Sequence, residues 1–382
     1  MALVVMLVFG TRPEAIKMCP LVDAFARHPE ISLRVCVTGQ HREMLDQVLD
    51  AFGIVPDEDL AVMQPGQTIN QLSGHLIAGL DAAYERHRPD IVLVHGDTTT
   101  CFIATLAAFH RKIPVGHVEA GLRTGNLYSP WPEEANRKLT AVLADLHFAP
   151  TAGARDNLVR EQVPVDRIYV TGNTVIDALL WMRERLHASG WQPGPDSALS
   201  VLREEARMVL ITGHRRESFG RGLEAICHAL RRLAERYPDI DFMYPVHLNP
   251  GVQRAVYPLL GDIPNLHLVA PLDYREFVWA MDRSHLILTD SGGIQEEAPT
   301  LGKPVIVMRD NTERPEAQAC GAIRVAGVTE QGLFEHTCAV LDDAATYQAM
   351  SAAGNPFGDG RAAQYIADHV VHWLEYARQA AA

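Results

Sequence analysis

The feature that most constrains this chain is an alternation, kept up along nearly its whole length, of short β-branched apolar runs with longer amphipathic stretches. Leu3–Phe9, Leu33–Val37, Ile91–His95 and Val115–Val118 have the length and composition of strands. Between them Leu21, Val22 and Phe25, then Met44, Leu45, Val48 and Leu49, return at helical spacing. A run such as Ile91-Val92-Leu93-Val94, apolar at every position, suits a strand covered on both faces, as strands of parallel sheets are. Strands and helices in strict alternation predict a doubly wound α/β sheet.

The series stops once and restarts. Ile168-Tyr169-Val170-Thr171-Gly172 closes the first set, and Gly190 to Ser197 is a polar break rich in Gly and Pro. A second set follows at Met208–Thr212, Phe242–Val246, Leu266–Val269, Leu286–Thr289 and Val305–Met308. The expectation is two Rossmann-like, doubly wound domains facing a central cleft. The first takes residues 1–171 and the second 172–360, with a C-terminal helix in 361–382 packing back on the first.

Composition narrows the class of function. With 47% hydrophobic and 21% charged residues over 382, the chain can bury real cores and is not disordered. No stretch approaches the roughly 18 apolar residues of a membrane span. The apolar start has no basic residue before it and no small-residue cleavage site after it, so it reads as a first strand of a cytoplasmic protein rather than as a signal peptide. The six cysteines are scattered with no CxxC pair, which predicts reduced thiols and neither a zinc site nor a disulfide frame. A net charge of −13 disfavours nonspecific nucleic-acid binding. An anionic small ligand would need a local pocket of Arg, Lys and helix N-termini.

In open α/β sheets ligands bind beyond the carboxyl ends of the strands, so the residues just after each strand carry the functional question. Gly10-Thr11-Arg12-Pro13-Glu14, with Lys17 one turn on, reads either as an anion cradle or as an ordinary turn with Glu14 favoured by the helix dipole. Asp97, in Gly96-Asp97-Thr98, reads equally as a helix cap or as a functional carboxylate. Glu119 ends a strand beside Ala120-Gly121 with no capping geometry and little to pair with, which favours function. Glu133 and Glu134 follow a rigid Pro-Trp-Pro at a helix start, where acidic residues also stabilise any helix. His214 lies at a strand end beside Arg215 and Arg216, a setting suited to phosphate. The strongest single signal is Thr289-Asp290-Ser291-Gly292-Gly293, a strand opening into a helix with bare backbone N–H groups, with Glu297 a turn and a half along, within reach of a ribose. No nicotinamide or P-loop fingerprint stands at a strand end.

With these residues in hand, the chain closely resembles the non-hydrolysing UDP-N-acetylglucosamine 2-epimerases. The matching blocks, in order, are FGTRPEAIKM, VHGDTTT, GHVEAGLRTG, YSPWPEEANR, TGNTVIDALL, TGHRRESFG, PVHLNP, LTDSGGIQEEAP and RDNTERPEA, with NPFGDG near the end. The resemblance implies a glycosyltransferase type B fold. It also implies reversible interconversion of UDP-N-acetylglucosamine and UDP-N-acetylmannosamine, by elimination and re-addition of UDP through 2-acetamidoglucal. Asp97, Glu119 and Glu133 resemble the family's catalytic carboxylates and His214 its catalytic histidine. Arg12, Lys17 and Arg314 look like its substrate-anchoring cations, Ser291, Gly292 and Gly293 like its diphosphate cradle, Glu297 like its ribose ligand and Phe277 like its contact to uracil. TGQHREML and PVHLNP resemble the lining of a second, allosteric UDP-N-acetylglucosamine site, which points to Gln40, His41 and His247. The resemblance further implies a homodimer, no cofactor, and a place in polysaccharide biosynthesis. Hydrolysing epimerases, which release free N-acetylmannosamine, usually carry Arg directly after the Gly-Asp and lack the full EAGLRTG and PWPEEANR blocks. Here Thr98 follows Asp97 and both blocks are present. A 2-epimerase acting on another UDP-2-acetamido sugar is the remaining alternative.

Overall fold

The computed structural model describes residues 2–39, 42–213, 221–312 and 314–381. The chain divides into two compact units, one made of Met1–Ala178 with Phe357–Ala382 and the other of Leu179–Pro356, so the boundary falls inside the helix Thr174–Ser189.

The first unit is built on a seven-stranded sheet: β1 (Leu3–Phe9), β2 (Ile31–Val37), β3 (Glu58–Asp59), β4 (Ile91–His95), β5 (Val115–Val118), β6 (Leu146–Ala149) and β7 (Ile168–Val170). The order is β3-β2-β1-β4-β5-β6-β7, and every neighbouring pair is parallel. Strand alternation explains why β1 must be apolar throughout. Val5, Leu7 and Phe9 enter one core with the helices Arg12–Phe25, Arg42–Phe52 and Ala362–Ala381. Met6 and Val8 enter another on the opposite face, with the helices Ile69–His87 and Thr99–His110. The C-terminal helix contributes Ala363, Ile366, Ala367, Val370, Val371 and Leu374, a stripe at helical spacing that closes the first of these cores.

The second unit repeats the scheme with six strands: β8 (Arg207–Thr212), β9 (Ile240–Pro245), β10 (Leu266–Val269), β11 (Leu286–Thr289), β12 (Val305–Val307) and β13 (Ile323–Val325). Their order is β10-β9-β8-β11-β12-β13, again all parallel. Val209, Ile211, Phe242, Tyr244, Leu286 and Leu288 lie in its core. Both units therefore have the doubly wound, Rossmann-like fold expected from the sequence. In each, the strand order reverses between the first strand and the fourth, at β1/β4 and at β8/β11. At such a reversal the loops diverge to either side and leave room for a ligand at the carboxyl ends of the strands.

Three strands escape the sequence pattern. β3 is two acidic residues at an edge, β6 is only four residues and carries a buried histidine, and β13 has an arginine at its centre. Several of the expected strands shift at their ends: β9 begins at Ile240 rather than Phe242 and stops at Pro245, β2 begins at Ile31 rather than Leu33, β8 begins at Arg207 rather than Met208, and β12 stops at Val307 rather than Met308. Among the described residues, no helix is long and apolar enough to cross a membrane.

Candidate active site

In the first unit the loop after β1 enters a helix through a reciprocal cap. Thr11 accepts from the Glu14 N–H, and Glu14 takes N–H donors from Gly10 at 3.1 Å and Thr11 at 2.8 Å. The Glu14 carboxylate also accepts the hydroxyls of Thr11 (2.8 Å) and Thr98 (2.7 Å), and it is only 2% exposed. Glu14 thus does more than favour a helix dipole, because it ties the loop after β1 to the loop after β4. Burial pushes its carboxyl up, with those donors and His95 pulling the other way. Gly10 is required for packing, since a Cβ there would meet the Thr38 hydroxyl at 2.0 Å. Arg12 is half-buried at the first position of the helix.

Asp97 does not cap the helix that follows it. Thr98 is the cap and accepts from the Cys101 N–H at 3.0 Å, which leaves the Asp97 carboxylate to receive a donor from Arg137. The Asn136 amide donates to the Asp97 carbonyl at 2.9 Å. One residue back, the Gly96 carbonyl accepts from His117 Nε2–H at 2.7 Å. Burial lowers His117 to about 3, so it stays a neutral donor. The residues around Asp97 are held on three sides.

The expectation that Glu119 has little to pair with is overturned. It follows β5 in a left-handed backbone conformation, φ +61°, which a residue with a side chain rarely adopts. Lys17 Nζ lies 2.5 Å from its Oε1, the Asn173 amide donates to Oε1 at 2.9 Å, and His95 Nε2 lies 3.0 Å from Oε2. Burial pushes this carboxyl up, but Lys17 and His95 outweigh it, and the group stays well below the usual carboxylate range. It is an ionised carboxylate locked among donors.

The helix Glu133–Leu143 puts two neighbouring carboxylates to different uses. Glu134, fully buried, takes the backbone N–H groups of Thr124 (3.1 Å) and Gly125 (3.0 Å) and so anchors the preceding loop. Glu133 begins the helix, and its Oε2 is buried with no hydrogen-bond partner among the described residues. A buried acceptor left open is costly in a structural role and useful in a chemical one.

In the second unit, β11 ends at Thr289 and the helix Gly292–Thr300 begins after two intervening residues. Ser291 stands at its N-cap without a side-chain bond to the helix, so the leading N–H groups are not closed off by a cap. A Cβ on Gly293 would meet only Glu297 Oε2 at 3.7 Å and Ser291 Oγ at 4.0 Å, ordinary contacts. Glu297 is 7% exposed on this helix. Arg314 donates to the buried Glu296, and Phe277 is half-buried in the first turn of the helix Tyr274–Arg283. His247 is exposed beyond β9, with its Nδ1 accepting from the Asn249 N–H at 3.1 Å. His214, Gln40 and His41 lie outside the described residues. No group of three or more His, Cys, Asp or Glu able to hold a metal occurs among the described residues.

The structure thus brings Lys17 and Glu119 together, places Asp97 beside Arg137, and leaves Glu133 with an open oxygen. Sequence reasoning did not single out His95, Asn173, Arg137 or Glu14. The available signals were a histidine ending an otherwise apolar strand and an Asn opening a helix.

Fold and site describe a two-unit α/β enzyme with its carboxylates at strand ends in one unit and a glycine-led helix N-terminus in the other. The family profile described as UDP-N-acetylglucosamine 2-epimerase matches residues 23–371, and the chain belongs to that family. A UDP-N-acetylglucosamine 2-epimerase from Escherichia coli (strain K12) is 56% identical over 363 residues, covering 95% of this chain and 96% of that protein. A protein named probable UDP-N-acetylglucosamine 2-epimerase from Ralstonia nicotianae is 57% identical over 363 residues, 95% and 97% of the two chains. The crystal structure of UDP-GlcNAc 2-epimerase from Neisseria meningitidis, bound to UDP-GlcNAc, matches with a TM-score of 0.90 at 48% identity, covering 97% of this chain and 100% of that one.

Proposed function

We propose that this protein interconverts UDP-N-acetylglucosamine and UDP-N-acetylmannosamine without hydrolysis, by eliminating UDP across C1–C2 and adding it back. The C2 hydrogen of the pyranose is not beside a carbonyl, so simple removal and return of the proton is unfavourable. Loss of the C2 proton with cleavage of the C1–oxygen bond gives 2-acetamidoglucal and UDP. Protonation of C2 on the opposite face, with UDP re-forming the C1–oxygen bond, gives the epimer, and atoms balance without a cofactor.

In this reading Asp97, Glu119 and Glu133, with His214, handle the protons. Arg12, Lys17, Arg314 and the N–H groups at Ser291, Gly292 and Gly293 receive the charge that grows on the departing diphosphate. Glu297 takes the ribose hydroxyls, and Phe277 lies against the uracil. The observation that carries the reading is the pairing of Glu119 with Lys17 at the strand ends, which keeps a buried carboxylate ionised and able to accept a proton.

A proton NMR time course with UDP-N-acetylglucosamine in deuterated water tests it. The expected result is UDP-N-acetylmannosamine with deuterium at C2, and deuterium entering recovered substrate as well. Accumulation of free N-acetylmannosamine and UDP would make the enzyme hydrolytic, and an epimer free of solvent deuterium would rule out elimination.

A further inference from the structure

Asn173 sits where the chain first leaves the first unit, beside the segment by which it returns. The two segments touch backbone to backbone: Gly172 (φ +87°) and Gly358 (φ +131°) lie so close that a Cβ on Gly172 would stand 3.0 Å from the Cα of Gly358. The Asn173 N–H donates to the Phe357 carbonyl at 2.7 Å. One turn later Asp177 accepts the N–H groups of Ala362 (3.2 Å) and Ala363 (2.8 Å), which pins the start of the C-terminal helix. The backbone of Asn173 is therefore fixed from both sides, and the residue is 2% exposed.

That anchoring decides which way its amide points. Oδ1 accepts the Val175 N–H at 3.1 Å, so Nδ2 must face the other way, where it donates to Glu119 Oε1 at 2.9 Å. Glu119 needs such help. Its left-handed backbone takes it out of the regular strand geometry, so the aim of its carboxylate depends on side-chain donors.

We propose that Asn173 is a positioning residue for Glu119, holding the carboxylate in the orientation and ionised state in which it exchanges a proton with C2. The inference rests on the function proposed above. The groups facing Glu119 are Lys17 from the helix after β1, His95 from β4, and Cys101 from the helix after β4. Burial pushes the Cys101 thiol well up, so it stays neutral. Asn173 is a neutral donor among these, and a donor to the ionised form favours that form.

Asn173→Asp is the sharp test, because it keeps the acceptor for Val175 and the backbone bond to Phe357 while setting a second carboxylate against Glu119. In the full-length enzyme we expect kcat to fall by about tenfold or more with KM for UDP-N-acetylglucosamine changed less than about threefold. The ascending limb of the kcat–pH profile should move upward by about one unit, because repulsion raises the Glu119 pKa. Asn173→Ala removes the donor without adding charge and should move the limb the same way by less. It carries the test alone should the aspartate variant fail to fold. A merely structural role would lower Tm and leave the limb in place. If folded variants keep the parent limb and turn over within about twofold of the parent, the proposal is overturned. Glu119→Gln, run in parallel, separates the two levels. Normal turnover in that variant removes the assigned role of Glu119, and Asn173's with it. A dead Glu119→Gln beside an unaltered Asn173→Asp removes only the role of Asn173.

Discussion

Glu133 has surroundings ill suited to a structural carboxylate, because one of its oxygens is buried and lacks a hydrogen-bond partner among the described residues. Replacing it with Gln removes the carboxylate while keeping its shape, and the helix start does not depend on a side-chain cap there. Glu133→Gln should therefore leave stability unchanged or raise it by up to about 1 kcal/mol, while cutting kcat by roughly 10² or more. Thermal denaturation and steady-state kinetics on one preparation check both halves, and a variant that loses stability but keeps turnover would make Glu133 a plain helix residue. Glu134, next in sequence, should behave in the opposite sense, since it holds two backbone N–H groups. Residue type and spacing do not separate these two neighbours; in the sequence only the family resemblance pointed to Glu133. Glu119 shows the same limit. Its place after a strand made it conspicuous, but its partners Lys17 and Asn173 lie 102 and 54 residues away, and only the folded sheet brings them within reach.

At the scale of elements, the core strands were legible because two-sided burial demands unbroken apolar runs, and β1, β4, β5 and β11 match their expected limits. The strands that were missed are edge or near-edge segments, where one face or one side is less apolar and the pattern carries less information. The C-terminal helix was legible as an amphipathic stripe, but what fixes its start was not. That is Asp177, 9% exposed, whose carboxylate receives the N–H groups of Ala362 and Ala363. Burial raises Asp177 to about 6, against the pull of those two donors. A carboxyl whose folded pKa lies above its unfolded one binds more protons when folded, so its contribution favours folding at low pH and is lost as pH rises from about 4 through about 6. Two pKa units correspond to about 3 kcal/mol at full difference. Asp177→Asn keeps an acceptor at this position without the charge. It should flatten that part of the stability–pH curve between about pH 4 and 6.5 and be no less stable than the parent at neutral pH. Denaturant midpoints across this range decide, and an unchanged slope would mean that Asp177 titrates normally.

At the scale of the whole molecule, the carboxylates assigned to proton transfer and the helix N-terminus assigned to the leaving group fall in different units. Asp97, Glu119 and Glu133 belong to the first, as do Arg12 and Lys17 among the cations assigned to the leaving group, and Ser291, Gly292, Gly293 and Glu297 to the second. This division predicts that turnover and nucleotide binding can be damaged separately. Gly293 gives the cleanest probe, because a methyl group there meets nothing closer than 3.7 Å within the protein and its backbone is not left-handed. Ala is also the better helix former, by up to about 1 kcal/mol, so Gly293→Ala should fold at least as stably as the parent. The methyl would nevertheless stand at the helix N-terminus, where the proposed function has a diphosphate approach the uncapped N–H groups. UDP affinity, measured by titration calorimetry, should fall by roughly tenfold or more, about 1.4 kcal/mol. Glu119→Gln should do the reverse, leaving UDP affinity within about threefold while removing about 10² or more of kcat. If Gly293→Ala binds UDP as the parent does, the glycine is there for the fold and the diphosphate is held elsewhere. If Glu119→Gln loses UDP binding along with turnover, the two tasks are not divided between the units and the role assigned to the second sheet must be drawn again.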